Sequence, residues 1–383
     1  VNQGWKKLLT MTAVVLLFSL TSMTVLADEE KKTYLIGFHN QLDVNEFIEE
    51  DVTNTNGVQL YTSEDKSAQV QLEVLHEFEQ IPVVAVELSP ADIKALEAES
   101  GIAYIEEDFD VTIANQTVPW GIAQVQAPQA HELGHSGSGT KVAVLDTGIA
   151  EHADLFIHGG ASFVAGEPDY HDLNGHGTHV AGTIAALNDG AGVIGVAPDA
   201  ELYAVKVLGA SGSGSVSSIA QGLEWAGDNG MDVANLSLGS PVGSDTLEQA
   251  VNYATDSGVL VVAASGNSGS GTVSYPARYD NAFAVGATDQ VNNRASFSQY
   301  GTGLDIVAPG VEVESTYLNG EYASLSGTSM ATPHVAGVAA LIKAKNPMLS
   351  NEEIRQQLVQ TATPLGSADM YGSGLVNAEV AVQ

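Results

Sequence analysis

From Lys141 onward the chain alternates short, unbroken apolar runs with longer helical stretches. The apolar runs are Val142–Leu145, Leu202–Val207, Val233–Leu238, Leu260–Ala264, Phe283–Ala287 and Ile306–Ala308. Runs this short, without polar alternation, read as strands buried on both faces. Helical stretches fall between and after them, at His179–Leu187, Val216–Gly227, Thr246–Asp256 and Thr328–Lys345. The alternation predicts an α/β domain: a mostly parallel sheet flanked by helices on both faces. In such sheets ligands bind beyond the carboxyl ends of the strands. Asp146 stands at one such end, and Asn267 just past another.

Residues 28–114 follow a different pattern. Strand-like runs occur at Thr33–Phe38, Gln69–Leu75, Val83–Leu88 and Ala103–Glu107, with helical stretches at Asp43–Asp51 and Ser89–Glu99. The second helix opens on Ser89-Pro90-Ala91-Asp92, where Ser caps and Pro suits the first turn. Two βαβ-like halves predict a small α+β, ferredoxin-like unit. Before it, Lys6-Lys7, an apolar run from Ala13 to Leu20 and the small-residue pattern Val25-Leu-Ala27 predict a secretory signal over residues 1–27, cleaved after Ala27. The Ser and Thr residues at 19, 21, 22 and 24 argue against a membrane anchor there.

Composition changes the picture in two ways. With no cysteine, an exported form must rely on packing or on oxygen-ligated metal. The chain carries 13 Lys+Arg against 47 Asp+Glu, a formal net charge of -34. From Asn115 to the end there are 7 basic and 26 acidic residues, or 7 - 26 = -19. Such a chain repels nucleic acid and anionic membranes. A solvated secreted surface and adaptation to salt both account for the excess.

Three segments carry candidate chemistry: Val142-Ala-Val-Leu-Asp146-Thr-Gly, Asn174-Gly-His-Gly-Thr-His179-Val-Ala-Gly and Gly327-Thr-Ser329-Met-Ala-Thr-Pro-His-Val-Ala-Gly337. A serine hydroxyl becomes a nucleophile when an imidazole takes its proton, and that imidazole needs a carboxylate to fix its tautomer. Taken singly, Asp146 reads as a turn residue and Ser329 as a helix cap. His179 alone reads as a core histidine or a metal ligand paired with His176. Together they supply carboxylate, base and nucleophile in chain order. The helix that starts near Ser329 offers N–H dipoles to a developing oxyanion, and Asn267 in Ala263-Ala-Ser-Gly-Asn267-Ser-Gly offers a second donor.

On these motifs the chain resembles, over nearly its whole length, the subtilase family of serine endopeptidases. It is especially similar to the secreted high-alkaline subtilisins of bacilli. The resemblance implies Ser329 as nucleophile, His179 as general base and then acid, Asp146 as orienting carboxylate, and Asn267 as oxyanion donor beside the Ser329 N–H. It makes residues 28–114 a propeptide that acts as intramolecular chaperone and inhibitor, with self-cleavage between Ala114 and Asn115. The catalytic domain is then 115–383, a secreted monomer acting on polypeptides.

An extended substrate would pair with Gly212, Ser213 and Gly214 on one side and Ser237, Leu238 and Gly239 on the other. Its first pocket would lie between Leu238–Gly239 and Ala264, Ser265 and Gly266. No fixed charge is evident there, which favours large apolar or aromatic side chains. Leu187-Asn-Asp-Gly-Ala-Gly-Val193 matches the family's calcium loop. The implied ligands are the carbonyls of Leu187, Ala191 and Val193, the side chains of Asp189 and Gln116, and the carboxylate of Asp154. A weaker cation site is implied at the carbonyls of Ala277, Tyr279 and Ala282.

Two other readings compete. Asp146-Thr-Gly and Asp256-Ser-Gly look like the paired motifs of an aspartic protease, although Asp256 ends a helical stretch and Gly258 reads as its cap. A calcium-stabilised binding protein that kept the scaffold without the activity is the second.

Overall fold

The computed structural model describes residues 31–49, 58–61, 69–97, 101–109 and 116–383, and divides the chain into two units, Val1–Thr112 and Ile113–Gln383. The expected cleavage positions Ala27, Ala114 and Asn115 lie outside the described residues.

In the first unit the order is β1 (Lys32–Phe38), α1 (Gln41–Glu49), β2 (Val58–Tyr61), β3 (Gln69–Glu77), β4 (Val83–Leu88), α2 (Pro90–Leu96) and β5 (Ile102–Glu107). The strands pair antiparallel in the order β2-β3-β4-β1-β5. With β2 set aside as an added edge, this is the βαββαβ ferredoxin-like arrangement expected. Ser89 starts α2 through a capping box with Asp92, and Pro90 occupies the first turn. Ile36, Val84, Val86 and Leu88 from the sheet bury against Val44 and Leu96 of the helices.

The second unit opens with two short helices, α3 (Trp120–Gln124) and α4 (Ala127–Glu132). The sheet then begins with β6 (Lys141–Asp146) and β7 (Ile157–Ser162), followed by α5 (His176–Ala185), β8 (Glu201–Lys206), α6 (Val216–Asp228) and β9 (Val233–Leu236). Next come α7 (Asp245–Asp256), β10 (Leu260–Ala264), β11 (Ala282–Thr288) and β12 (Ile306–Pro309). A hairpin of β13 (Val313–Thr316) and β14 (Tyr322–Leu325) leads into α8 (Thr328–Lys345) and α9 (Asn351–Thr361).

The seven-stranded sheet, in the order β12-β11-β10-β9-β6-β8-β7, is parallel throughout. Alternation along β6 explains its two covered faces. Val142 and Val144 join the core shared with α5 and α8. Ala143 and Leu145 join the core shared with α6 and α7. Helix α8 crosses the domain almost wholly buried, which its run of Ala and Gly permits. A Cβ on Gly337 would stand 2.6 Å from Val196 Cβ, so only glycine allows that approach.

The chain reaches β8 by way of the outer strand β7 and then crosses to β9 on the far side of β6. The direction of winding therefore changes at β6, where Asp146 ends the strand. Several elements escape the sequence pattern, α3, α4 and α9 among them. Strand β7 is Ile-His-Gly-Gly-Ala-Ser, an edge too polar and glycine-rich to read as a strand. The β13–β14 hairpin lies outside the parallel sheet.

Candidate active site

Asp146 is wholly buried at the end of β6. Its Oδ1 accepts from the Thr147 N–H at 2.7 Å and from His176 Nδ1 at 2.7 Å. His176 is the first residue of α5, set behind Gly175, whose φ of 99° is a conformation suited to glycine. A carboxylate can only accept, so the proton of this bond sits on Nδ1 and Nε2 keeps its lone pair. Burial of the ring lowers the pKa of His176. The charge and hydrogen bond of Asp146, with the charge of Asp172, outweigh that and raise it above the ordinary value. Asp172 in turn accepts from the Asn174 and Gly175 N–H groups and from Thr178, which fixes the turn ahead of His176.

His179 does something else: contrary to the expectation from the motif, it is not placed to act as the base. One turn further along α5, its ring is 0 % exposed. Its Nε2 lies 2.9 Å from the Val313 carbonyl and 3.1 Å from that of Ala323. With two acceptors facing it, Nε2 carries the proton and is unavailable as a base. Burial drives the pKa down to about 4. His179 thus fastens the β13–β14 hairpin to α5. Each histidine sits among glycines in the motif, which hides the distinction. The apolar run that starts at Val180, directly after His179, is the signal that marks the latter's side as core.

Ser329 is the second residue of α8, after Thr328 and the N-cap Gly327. Its Oγ donates to the Ser237 carbonyl at 3.1 Å, and Ser237 Oγ donates back to the Ser329 carbonyl at 2.8 Å. First-turn N–H groups have no partner within the helix, so the Ser329 N–H is free to serve a ligand. Asn267, past the end of β10, is held by its oxygen: Oδ1 accepts from both Thr328 N and Thr328 Oγ1 at 2.9 Å. Its amide Nδ2 is therefore the group left to donate elsewhere.

Two cavities of about 430 Å³ each adjoin these residues and share Leu238 and Gly239. The first is lined by Ser329, Asn267, Ala264 and Gly266 and carries no charged side chain. The expected Ser265 is not on its wall. That residue is buried, and its Oγ donates to the Gln299 carbonyl. Gln299 itself, unread in the sequence, forms part of the wall together with Pro241 and Thr272. The second cavity runs past His176 between Gly212, Ser213 and Gly214 on one side and Ser237, Leu238 and Gly239 on the other.

At the loop following α5, three carbonyls converge on one atom. Gln116 Nε2 lies 2.5 Å from Leu187 O, 3.1 Å from Ala191 O and 3.1 Å from Val193 O. An amide nitrogen has two protons for these three acceptors. The donor set is hard oxygen, and turning the Gln116 amide over adds Oε1 to it. Asp154 adjoins, its Oδ2 accepting from Val193 N at 2.7 Å and Tyr322 Oη at 2.9 Å. Asp189 Oδ1 accepts from Ala191 N at 3.0 Å. The residues fit a calcium ion. Around Ala277, Tyr279 and Ala282 the arrangement is less open, since the Tyr279 carbonyl already accepts from the Ala282 N–H at 3.0 Å.

The paired-aspartate reading fails. Asp256 ends α7 at the surface, whereas Asp146 is buried at the end of β6.

Residues 137–374 match the subtilase family of peptidases. The chain is 67% identical over 378 residues to an alkaline protease of Alkalihalobacillus alcalophilus, covering 98% of both chains. It is 60% identical over 383 residues to alkaline elastase YaB of Bacillus sp. strain YaB, covering all of both. Against subtilisin Savinase of Lederbergia lenta it is 76% identical over 268 residues, all of that protein and 70% of this chain.

Proposed function

Given that the chain belongs to the subtilase family and is a subtilisin-type serine endopeptidase, we propose that Ser329, His176, Asp146 and Asn267 carry its chemistry. The observation behind this reading is the 2.7 Å contact of Asp146 Oδ1 with His176 Nδ1, which leaves Nε2 as the base beside the cleft. Ser329 Oγ leaves the Ser237 carbonyl, gives its proton to His176 Nε2 and attacks the substrate carbonyl carbon. The oxyanion takes hydrogen bonds from Asn267 Nδ2 and the Ser329 N–H. His176 then protonates the departing amine, and water, deprotonated by the same nitrogen, releases the acyl group.

The substrate lies extended between Gly212–Gly214 and Ser237–Gly239, because main-chain pairing tolerates any sequence. Its first side chain enters the uncharged cavity beside Ala264 and Gly266. Broad specificity with preference for large apolar or aromatic groups follows. Residues 1–27 act as an export signal and 28–114 as chaperone and inhibitor, removed between Ala114 and Asn115, so that the mature enzyme is extracellular. Among the described residues no helix is long and apolar enough to cross a membrane.

Calcium would be held by the carbonyls of Leu187, Ala191 and Val193 with Gln116, Asp154 and Asp189. Bound there, it ties the segment after residue 115 to the loop that ends α5. A second cation would sit at the carbonyls of Ala277, Tyr279 and Ala282.

Labelling with a fluorophosphonate tests the assignment of the nucleophile. The modified peptide should contain Ser329, and casein hydrolysis should vanish in Ser329→Ala while pepstatin has no effect. Activity retained in Ser329→Ala sinks the assignment.

A further inference from the structure

Lys206 is the largest of the fully buried side chains, at 0 % exposure. An ammonium group is costly to bury unless it is paired and hydrogen-bonded, and the proton transfers described above do not use it. Lys206 ends β8 in register with Asp146. Its Nζ donates to the Thr147 carbonyl at 2.6 Å and the His171 carbonyl at 3.3 Å, and pairs with Glu167 Oε2 at 3.0 Å.

The contacts of Lys206 and Glu167 lead to both halves of the site. Thr147 follows Asp146, and its Oγ1 accepts from the Gly177 N–H in the first turn of α5 at 2.9 Å. Glu167 Oε1 accepts from the Ala210 N–H at 3.2 Å. It lies so close over the preceding residue that a Cβ on Gly209 would stand 2.8 Å from it. The Ala210 carbonyl accepts from Asn174 Nδ2 at 3.0 Å, two residues ahead of His176. Lys206 also holds the Glu167 carboxyl below its usual pKa, together with the Ala210 hydrogen bond, so the acceptor is charged.

Ala210 opens the loop whose Gly212, Ser213 and Gly214 line the cleft, while Glu167 does not line it. The loop is folded on itself by bonds from Gly209 N to Ser213 O and Gly212 N to Gly209 O. A Gly/Ser sequence has little stiffness of its own. A charged acceptor holds an N–H more firmly than a neutral one.

We propose that Glu167, oriented by buried Lys206, is a positioning residue for the substrate-binding loop. It anchors Gly209–Ala210 from behind and so sets the distance at which Gly212–Gly214 meets an extended peptide. It takes no part in proton transfer. The proposal rests on the endopeptidase reading and is tested separately from it.

Glu167→Gln and Glu167→Ala are compared with wild type on two substrates, with active sites titrated by a sulfonyl fluoride. One is a tetrapeptide anilide long enough to reach the loop; the other is a blocked single-residue ester that is not. In Glu167→Ala the kcat/KM for the tetrapeptide should fall on the order of tenfold, mainly through KM, since small misplacements are amplified in a positioned complex. Glu167→Gln, which keeps an acceptor for Ala210 N, should fall less. Ester hydrolysis per titrated site and the acid limb of the pH profile should not move in either variant. A parallel fall on both substrates, or no fall on the tetrapeptide in either variant, overturns the proposal. A wild type inert on both substrates would instead remove the endopeptidase reading.

Discussion

The side-chain oxygen of Asn267 accepts from both the N–H and the hydroxyl of Thr328, each at 2.9 Å, and this leaves the amide nitrogen as the group free to donate. The orientation is fixed before any substrate arrives, so the donor costs no reorganisation when the oxyanion forms. Asn267→Leu should lower kcat by about 10²–10³, the size known for the corresponding donor in subtilisin itself, with little change in KM. Steady-state kinetics on a peptide anilide checks this. An equal loss carried by KM would place Asn267 in substrate binding instead.

Activity should depend on the neutral form of His176. Its folded pKa is raised, because Asp146 and Asp172 outweigh the opposing effect of burial. The acid limb of kcat/KM, which reports the free enzyme, should therefore lie above the ordinary imidazole value of about 6.5. A limb well below that value would contradict the electrostatic account of the site.

Acid should weaken the fold through two other histidines. His179 and His334 are both lowered to about 4 by burial. Each also has a buried ring nitrogen with no partner among the described residues, Nδ1 of His179 and Nε2 of His334. The unfolded chain binds protons at these positions below about pH 6.5, and the folded chain only near 4, so stability falls as pH drops through that window. The loss amounts to about 3 kcal/mol for each ring. His176 has the opposite sign, but its gain accrues mainly above that window. Urea unfolding of Ser329→Ala, which cannot digest itself, should show a declining midpoint from pH 6.5 to 4. A flat profile would show that these rings are not buried neutral.

The loop proposed to hold calcium is braced by Tyr322, whose hydroxyl donates to Asp154 Oδ2 at 2.9 Å, while a Cβ on Gly192 would lie 2.1 Å from that same oxygen. Excess chelator should lower the thermal midpoint of the mature enzyme. Tyr322→Phe should weaken calcium binding by about 10–100-fold, the usual range for a partner of a liganding carboxylate. Calorimetric titration of chelator-stripped protein measures this apart from activity. An unchanged thermal midpoint in excess chelator would remove the calcium assignment.

Much of the catalytic domain was legible because its strands are buried on both faces and stand out as apolar runs, and α8 was read to its ends, Thr328 and Lys345. Strand β7 was not, since an edge strand needs only one buried side and its glycines carry no pattern. Asp146 ends its strand, Asn267 follows the end of β10 and Ser329 lies in the first turn of α8, the places in the fold that the apolar runs predict. The histidine was misjudged by one turn, for two reasons. The helix begins at His176 and not at His179. Moreover, only tertiary contacts with the Val313 and Ala323 carbonyls reveal that His179 is already fully engaged. The Ser265 position was misread for a related reason, because a strand end can turn its side chain into the core while its neighbours face the cleft.

The most direct test compares two histidine variants on one peptide anilide, with each preparation normalised for folded protein. His176→Ala should lose about 10⁶ in kcat, the scale known for removing the histidine of subtilisin. His179→Asn should keep kcat within about tenfold of wild type and show its defect as a lower thermal midpoint, the expected penalty for breaking a buried hydrogen-bonded contact. The reverse pattern, with His176→Ala active and His179→Asn inert though folded, would contradict the account at its centre.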